Sequence, residues 1–456
     1  MTGGKTAYSR EGAIWLQAVI GWGAVIVVLL AALALGANRP VSWTLLALSI
    51  TGLFCAQHIR DLIAPMQDRD RMLLGVVVLW LAVIGWAIAQ VSPLMPPGWA
   101  HPAWHAVADL GAVGVISADP GQGRHGIMRL LTYGMVFWIS VRAMADPLRA
   151  HNMLRVIALS SAGLAIFGLM ARANGANPIL GIDGQASVVS ASFVNRNAYA
   201  IYAAFGCLAN IACFLLGSAP VRAHETALQR LRNFLEGFFA GSWVYGLGAV
   251  ICLVAVALTL SRAGAFACVI GLVTFVLAYR VQGRSNTIAL VAMVVFIGGF
   301  VLLTSSTGLT QRVLTTTDEG GRFAVYAHVI TGIQDRLLLG HGLGAFHDSF
   351  RAYLPLDAAR AEWHLAHSSF LENAYELGLP TAAVFYLALL IIVARVWHGV
   401  RHRRRDRVFP CLVLAVISAA TVHAMFDFSL QMPATAALFA MFLGLGWAQG
   451  KSHRDR

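Results

Sequence analysis

The sequence predicts an all-α integral membrane protein: about twelve transmembrane helices and one long, partly helical polar loop. Three observations carry this. Of 456 residues, 58% are hydrophobic and 12% charged, against about 25% charged in a soluble protein. The apolar residues gather in runs of about 20, the length that crosses a bilayer as a helix. The stretch from Ser305 to Gly378 contains no such run, although runs flank it on both sides.

The candidate spans are 13–36, 41–58, 72–91, 126–145, 153–172, 198–217, 243–260, 263–280, 287–304, 379–398, 409–427 and 433–449. Lys5 and Arg10 precede the first run, which is longer than the apolar core of a signal peptide and is followed by further spans, so it reads as an uncleaved first helix. Loop 92–125 carries Trp99, Trp104, His101 and His105, and the tryptophans suit the membrane interface. Segment 218–242 carries Arg222, His224, Glu225, Arg230 and Arg232, then Phe234, Leu235, Phe238 and Phe239, and reads as an amphipathic stretch on the inner membrane surface. Spans seven and eight are separated only by a tight turn at Ser261-Arg262. The whole chain, 1–456, reads as one polytopic domain with loop 305–378 inserted between spans nine and ten.

Orientation follows from Lys and Arg. With both termini in the cytoplasm, two-thirds of the 33 basic residues fall in inward segments, including the cluster Arg401, Arg403, Arg404, Arg405 and Arg407. The long loop then faces the periplasm or cell exterior. The net charge of +12 is accounted for by these short anchoring loops, which argues against a nucleic-acid partner. The six cysteines all lie in apolar segments and none forms a CxxC pair, so neither a disulfide framework nor a thiolate metal site is expected. No phosphate-binding lysine loop is present: the cluster Gly340, Gly342, Gly344 lacks the lysine and the spacing.

Three outward arginines are not explained by topology. Arg196 lies in Asn195-Arg196-Asn197 at the start of the sixth span, Arg262 follows Ser261 at the start of the eighth, and Arg322 follows Gly320-Gly321 in the long loop. Ionisable groups at membrane depth are costly and tend to be functional. A guanidinium keeps its charge and offers forked donors to phosphate oxygens, so several around one site suit a lipid-linked pyrophosphate. His367, in the same loop, carries an imidazole, a group whose neutral form can take a proton from an attacking hydroxyl. His364 lies three residues earlier, a spacing that would put both on one helix face. His341, His347, His364 and His367 have no convincing zinc spacing, so no metal is expected.

These motifs resemble the O-antigen ligase superfamily, which includes ligases that join O-antigen to lipid A-core and Wzy-type polymerases. The resemblance rests on Asn195-Arg196-Asn197, Ser261-Arg262-Ala263-Gly264, Gly321-Arg322-Phe323, Leu339 to Phe346, Ala366-His367-Ser368-Ser369-Phe370-Leu371 through Glu376-Leu377-Gly378, and His423-Ala424-Met425-Phe426-Asp427-Phe428. It covers roughly residues 185–445. Where the family often has Ala-His-Asn this chain has Ala366-His367-Ser368, so Asn373 or Glu376 is expected to orient the histidine instead.

The resemblance implies a metal-independent, inverting glycosyl transfer at the periplasmic face of the bacterial inner membrane, with no cofactor. Undecaprenyl pyrophosphate-linked glycan would be the donor, held on Arg196, Arg262 and Arg322. His367 would be the catalytic base, supported by Asn195, Asn197, Ser261, Asn373, Glu376 and Asp427, and a lipid A-core sugar the acceptor. The alternatives are a Wzy-type O-antigen or exopolysaccharide polymerase and, from another class, a secondary transporter. The transporter reading is disfavoured because the polar content is one asymmetric loop and the spans hold few acidic residues.

Overall fold

Aspartate and proline start several helices where the apolar runs break. Asp70 accepts a hydrogen bond from the Leu73 amide at the start of α3 (Arg71–Val91). Asp119 does the same for Gln122 at the start of α4 (Pro120–Ala143), and Asp146 for Arg149 at the start of α5 (Pro147–Ala173). The prolines preset the helical φ where an amide would have no partner. In this computed structural model, residues 3–63, 70–177, 179, 181–183, 188–217, 241–280, 298, 317–354 and 363–451 are described; the side chains of 3–11, 182–183 and 317–324 are not.

Among the described residues the architecture is all-α apart from one antiparallel pair of two-residue strands, β1 (Ala176–Asn177) and β2 (Ile182–Asp183). The remaining membrane-length elements are α1 (Gly3–Leu33), α2 (Pro40–Ile63), α6 (Arg196–Gly217), α7 (Trp243–Leu258), α8 (Arg262–Arg280), α12 (Leu379–His402), α13 (Val408–Phe426) and α14 (Pro433–Gln449). Among the described residues, eight helices are long and apolar enough to cross a membrane, and α7 and α14 are shorter apolar helices. The ninth expected span, 287–304, lies outside the described residues (Gly298 alone excepted), as does the amphipathic segment apart from Gly241 and Ser242.

The core centres on α6, which is buried without interruption from Ala198 to Cys213. Small residues let its neighbours approach, as expected where helices pack without a hydrophobic drive from water. A Cβ at Gly206 would fall 2.5 Å from Ser161 of α5, and one at Gly264 of α8 only 2.4 Å from Ala200 of α6. Gly271 of α8 meets Leu208 of α6 and Ala419 of α13. Since 264 pairs with 200 and 271 with 208, α6 and α8 run parallel with their N-termini level. Helix α13 runs against both, so its C-terminus reaches that same end.

The two ends of the bundle are chemically distinct. At one end Arg60 and Arg142 pair with Asp61, and Arg395 and Lys451 each lie 3.8 Å from Asp70. These are residues that the charge bias assigns to one side; Ala13 in α1 and Lys451 after α14 lie there too. At the other end, loop 92–119 is stitched to the long loop. The Ala118 amide donates to the His341 carbonyl (2.8 Å), and Arg336 donates to the Trp99 carbonyl (2.8 Å).

The long loop contains α9 (Thr317–Asp335), a short turn of helix α10 (Phe346–Phe350) and α11 (Ser369–Leu377). Its glycine cluster is a seam between backbones. His341 and Gly342 amides donate to the carbonyls of Tyr375 and Glu376. A Cβ on Gly340 would stand 2.3 Å from the Glu376 carbonyl oxygen, and Gly340 sits at φ +69, where glycine is unstrained. Gln90 of α3 closes the seam, donating to the carbonyls of Leu339 and Glu376 at 2.8 Å each.

Candidate functional site

The site forms where three helix ends meet. Asn195 caps α6: its side-chain oxygen accepts from the amides of Asn197 (2.7 Å) and Ala198 (3.2 Å). Ser261 caps α8 in the same way, its hydroxyl oxygen accepting from the Gly264 amide at 3.1 Å. Each cap puts an arginine at the first helical position, Arg196 half-buried and Arg262 exposed. Because α6 and α8 touch at Ala200 and Gly264, both guanidinium groups spring from adjacent, parallel helix N-termini. Such ends already favour anions through the helix dipole.

Asp427, fully buried at the end of α13, binds these helices to the loop. One carboxylate oxygen accepts from the Asn197 amide group at 2.6 Å, the other from the Phe428 amide (2.7 Å) and the Ser429 hydroxyl (3.3 Å). The Asp427 carbonyl accepts from the Ser369 hydroxyl on α11 at 3.3 Å. Next in the chain, the Phe428 ring packs edge-on against the His367 imidazole, with centroids 4.9 Å apart. His367 and the arginine-bearing end of α6 are thus separated by the short relay Asn197, Asp427, Phe428.

His367 has φ +54, a strained conformation for a residue with a Cβ. The Tyr326 hydroxyl from α9 donates to its carbonyl at 2.9 Å. Trp363 stands edge-on to the imidazole on another side, at 5.7 Å. Residues 363–368 are not helical, which corrects the expectation that His364 and His367 share a helix face. Instead His364 stacks on His347 at 4.5 Å.

The other expected residues distribute as follows. Asn373 donates to the Tyr386 hydroxyl on α12 (2.9 Å), and Glu376 accepts from the Phe346 amide (3.2 Å). The hydrogen bonds of both thus go to the scaffold around the histidine loop. Arg322 lies on α9, but its side chain is outside the described residues. Among the described residues no three His, Cys, Asp or Glu side chains form a metal-ligating group.

Sequence reasoning missed Glu372. It is buried one turn before Glu376 on α11, and its carboxylate accepts from the Ala366 amide at 2.8 Å. Burial and the neighbouring Glu376 carboxylate push its pKa well up, against the Ala366 amide, Gln431 and Arg129. Burial also raises Glu376, opposed by the amides of Gly344 and Phe346 and by Arg129. The signal was present in the sequence: two acids four apart on a short apolar helix repel each other unless something holds them.

A cavity of about 1470 Å³ opens beside this constellation. Asn195, Ser369, Glu372, Phe428 and Gln431 are part of its lining, as are Arg39, Arg129 and many aromatic and aliphatic side chains, among them residues of α3, α4, α12 and α14. Its wall includes Asn195 and Phe428, the chain neighbours of Arg196 and Asp427, rather than those charged groups themselves.

Comparison with known families gives one match: residues 247–386 fit the O-antigen ligase family model. The matched region runs from α7 into α12 and contains Arg262, Arg322, His367 and Glu372. Asn197 and Asp427 lie outside it. No curated protein matches the chain.

Proposed function

With the O-antigen ligase match over residues 247–386 as premise, we propose that this membrane protein is a glycosyltransferase of O-antigen ligase type. It moves a glycan from undecaprenyl pyrophosphate to a sugar hydroxyl of lipid A-core, at the periplasmic face of the inner membrane. The single observation that carries the reading is the Asn197–Asp427 bond and the Phe428–His367 contact beside it. Together they link the arginine-bearing N-terminus of α6 to a strained loop histidine, and the N-terminus of α8 packs beside that of α6.

The donor pyrophosphate docks on Arg196 and Arg262, joined by Arg322, each guanidinium presenting paired donors to phosphate oxygens. The neutral imidazole of His367 takes the proton from the acceptor hydroxyl as that oxygen bonds to the anomeric carbon. The bond from the anomeric carbon to the pyrophosphate breaks on the opposite face, its electron pair leaving on the phosphate oxygen. The transition state carries positive charge on the sugar, and the arginines stabilise the negative charge that builds on the leaving group. Because attack and departure lie on opposite faces, the anomeric configuration inverts. The activated carrier bond supplies the driving force, so no nucleotide is consumed.

The test is reconstitution of the full chain in lipid with a lipid-linked glycan of known anomeric configuration and lipid A-core acceptor. The expected product is glycosylated lipid A-core of inverted configuration, formed equally with and without EDTA, with release of polyprenyl pyrophosphate. A retained configuration, loss of activity in EDTA, or growth of polymer on the carrier with lipid A-core unused would overturn it.

A further inference from the structure

We propose that Glu372 is a positioning residue for His367: its side chain fastens the segment before the histidine to the turn that carries Phe428. The inference rests on the proposed reading of His367 and adds a residue that the reading does not use.

The imidazole of His367 meets two rings, Trp363 from its own segment and Phe428 from the turn after α13. Neither wall is part of a regular helix, so the ring's direction depends on what ties the two segments together. Glu372 reaches both. Its Oε2 accepts from the amide of Ala366, the residue immediately before His367, at 2.8 Å. Gln431, from the turn that carries Phe428, also faces this carboxyl group: its side chain favours the charged form, and both residues line one cavity. Gln431 ends the 3₁₀ turn Ser429–Gln431 and donates its own amide to the Phe428 carbonyl at 2.8 Å. One carboxyl group thus holds the chain next to His367 and faces the chain next to Phe428.

Burial makes this grip matter. Ala366 is fully buried and Glu372 is 2% exposed, so water is poorly placed to replace the bond between them. The left-handed backbone at His367 persists only where its surroundings over-determine it. The Ala366 bond on one side and the Tyr326 bond to the His367 carbonyl on the other bracket that residue. Charge is not what the arrangement needs. A glutamine at 372 offers an amide oxygen to Ala366 and an NH₂ to Gln431, and it also ends the repulsion from Glu376 one turn away. The geometry requires a planar group with two polar atoms at this position.

The experiment compares Glu372→Ala, Glu372→Gln and His367→Ala in the full-length protein in lipid nanodiscs. The first readout needs no activity: the rate at which diethyl pyrocarbonate modifies His367, followed by mass spectrometry. Glu372→Ala is expected to change that rate severalfold, and Glu372→Gln to leave it close to parental. The second readout is glycan transfer. Glu372→Ala is expected to lower kcat about 100-fold, as a small misplacement of a reacting group can, with donor KM little changed; Glu372→Gln restores kcat.

A Glu372→Ala protein with parental modification rate and kcat overturns the inference. So does a Glu372→Gln protein as impaired as the alanine variant, since the carboxylate would then have another task. Should Glu372→Ala fail to fold, Gln431→Ala removes the second tie alone and is expected to give the same pattern; parental behaviour there overturns the inference. If His367→Ala transfers at the parental rate, the proposed function falls, and the modification rates then decide the positioning of the loop by themselves.

Discussion

The side-chain amide of Asn197 donates to the Asp427 carboxylate at 2.6 Å across 230 residues of sequence. This bond joins the start of α6 to the end of α13, and Asp427 passes the connection on to Phe428, Ser429 and Ser369. Asp427→Ala would leave several donors at a buried place without an acceptor. The expected cost is about 2–4 kcal/mol, read as a fall in thermal midpoint. Asp427→Asn keeps an acceptor for some of them and is expected to lose less.

Arg262 tests what kind of cation the site uses. Arg262→Lys keeps the charge but loses the planar fork that matches phosphate. The expected result is a loss of about 10- to 100-fold in kcat/KM for the lipid-linked donor, the worth of one charge-assisted contact. Steady-state kinetics at varied donor concentration measure it. Arg262→Ala should lose at least as much, with thermal stability unchanged because Arg262 is exposed.

Gly264 sets how closely the two arginine-bearing helices lie. A methyl group there would stand 2.4 Å from the Ala200 Cβ, so Gly264→Ala must part α6 and α8. Overpacking of this kind costs about 1–3 kcal/mol. Donor affinity should fall as well, because the separation of Arg196 and Arg262 changes with it. A melting curve and a donor-binding isotherm on the same preparation check both effects.

The pair His101–His341 predicts a pH dependence. The Ala103 amide donates to His101 Nδ1, His101 Nε2 to His341 Nδ1, and His341 Nε2 to the Gly332 carbonyl; these partners assign both tautomers as neutral. Burial, then the facing His341 and Arg336, lower His101 to about 3. Burial lowers His341 to about 4, with Arg336 adding to it and the Gly332 carbonyl and Asp335 opposing. Folded pKa values below the ordinary 6.5 mean that this stability is present above pH 6.5 and is lost progressively as pH falls from there to the folded values. Between pH 7.5 and 5 the loss should be on the order of 2 kcal/mol for each histidine. The buried Glu372–Glu376 pair, with raised pKa values, changes in the opposite sense. The check is therefore the difference in thermal midpoint between the parental protein and His341→Gln across that range, which should shrink toward acid.

Much of the bundle was legible because membrane helices declare themselves by length and apolarity. The turn at Ser261-Arg262 was legible too, since so few polar residues between two runs leave little room for anything else. Three features were not. The left-handed backbone of His367 has no sequence signal, because any histidine can be forced into it by its neighbours, and so the segment at 363–368 was misread as helical. The His101–His341 contact spans 240 residues, and nothing local in loop 92–125 points to it. The role of Gly340 and Gly342 as a backbone seam depends on α11 lying beneath them, a tertiary fact. Glu372 was readable from its spacing to Glu376, but its bond to Ala366 reverses direction along the chain and needed the fold.

The central claim is that His367 removes the acceptor proton while the arginines hold the donor. It is tested most directly by the single-turnover rate of glycan transfer by His367→Ala, with donor binding measured on the same sample. The account predicts a fall of about 100-fold or more, the scale of general-base catalysis, with donor binding unchanged. Transfer at the parental rate by a protein without that imidazole would contradict it.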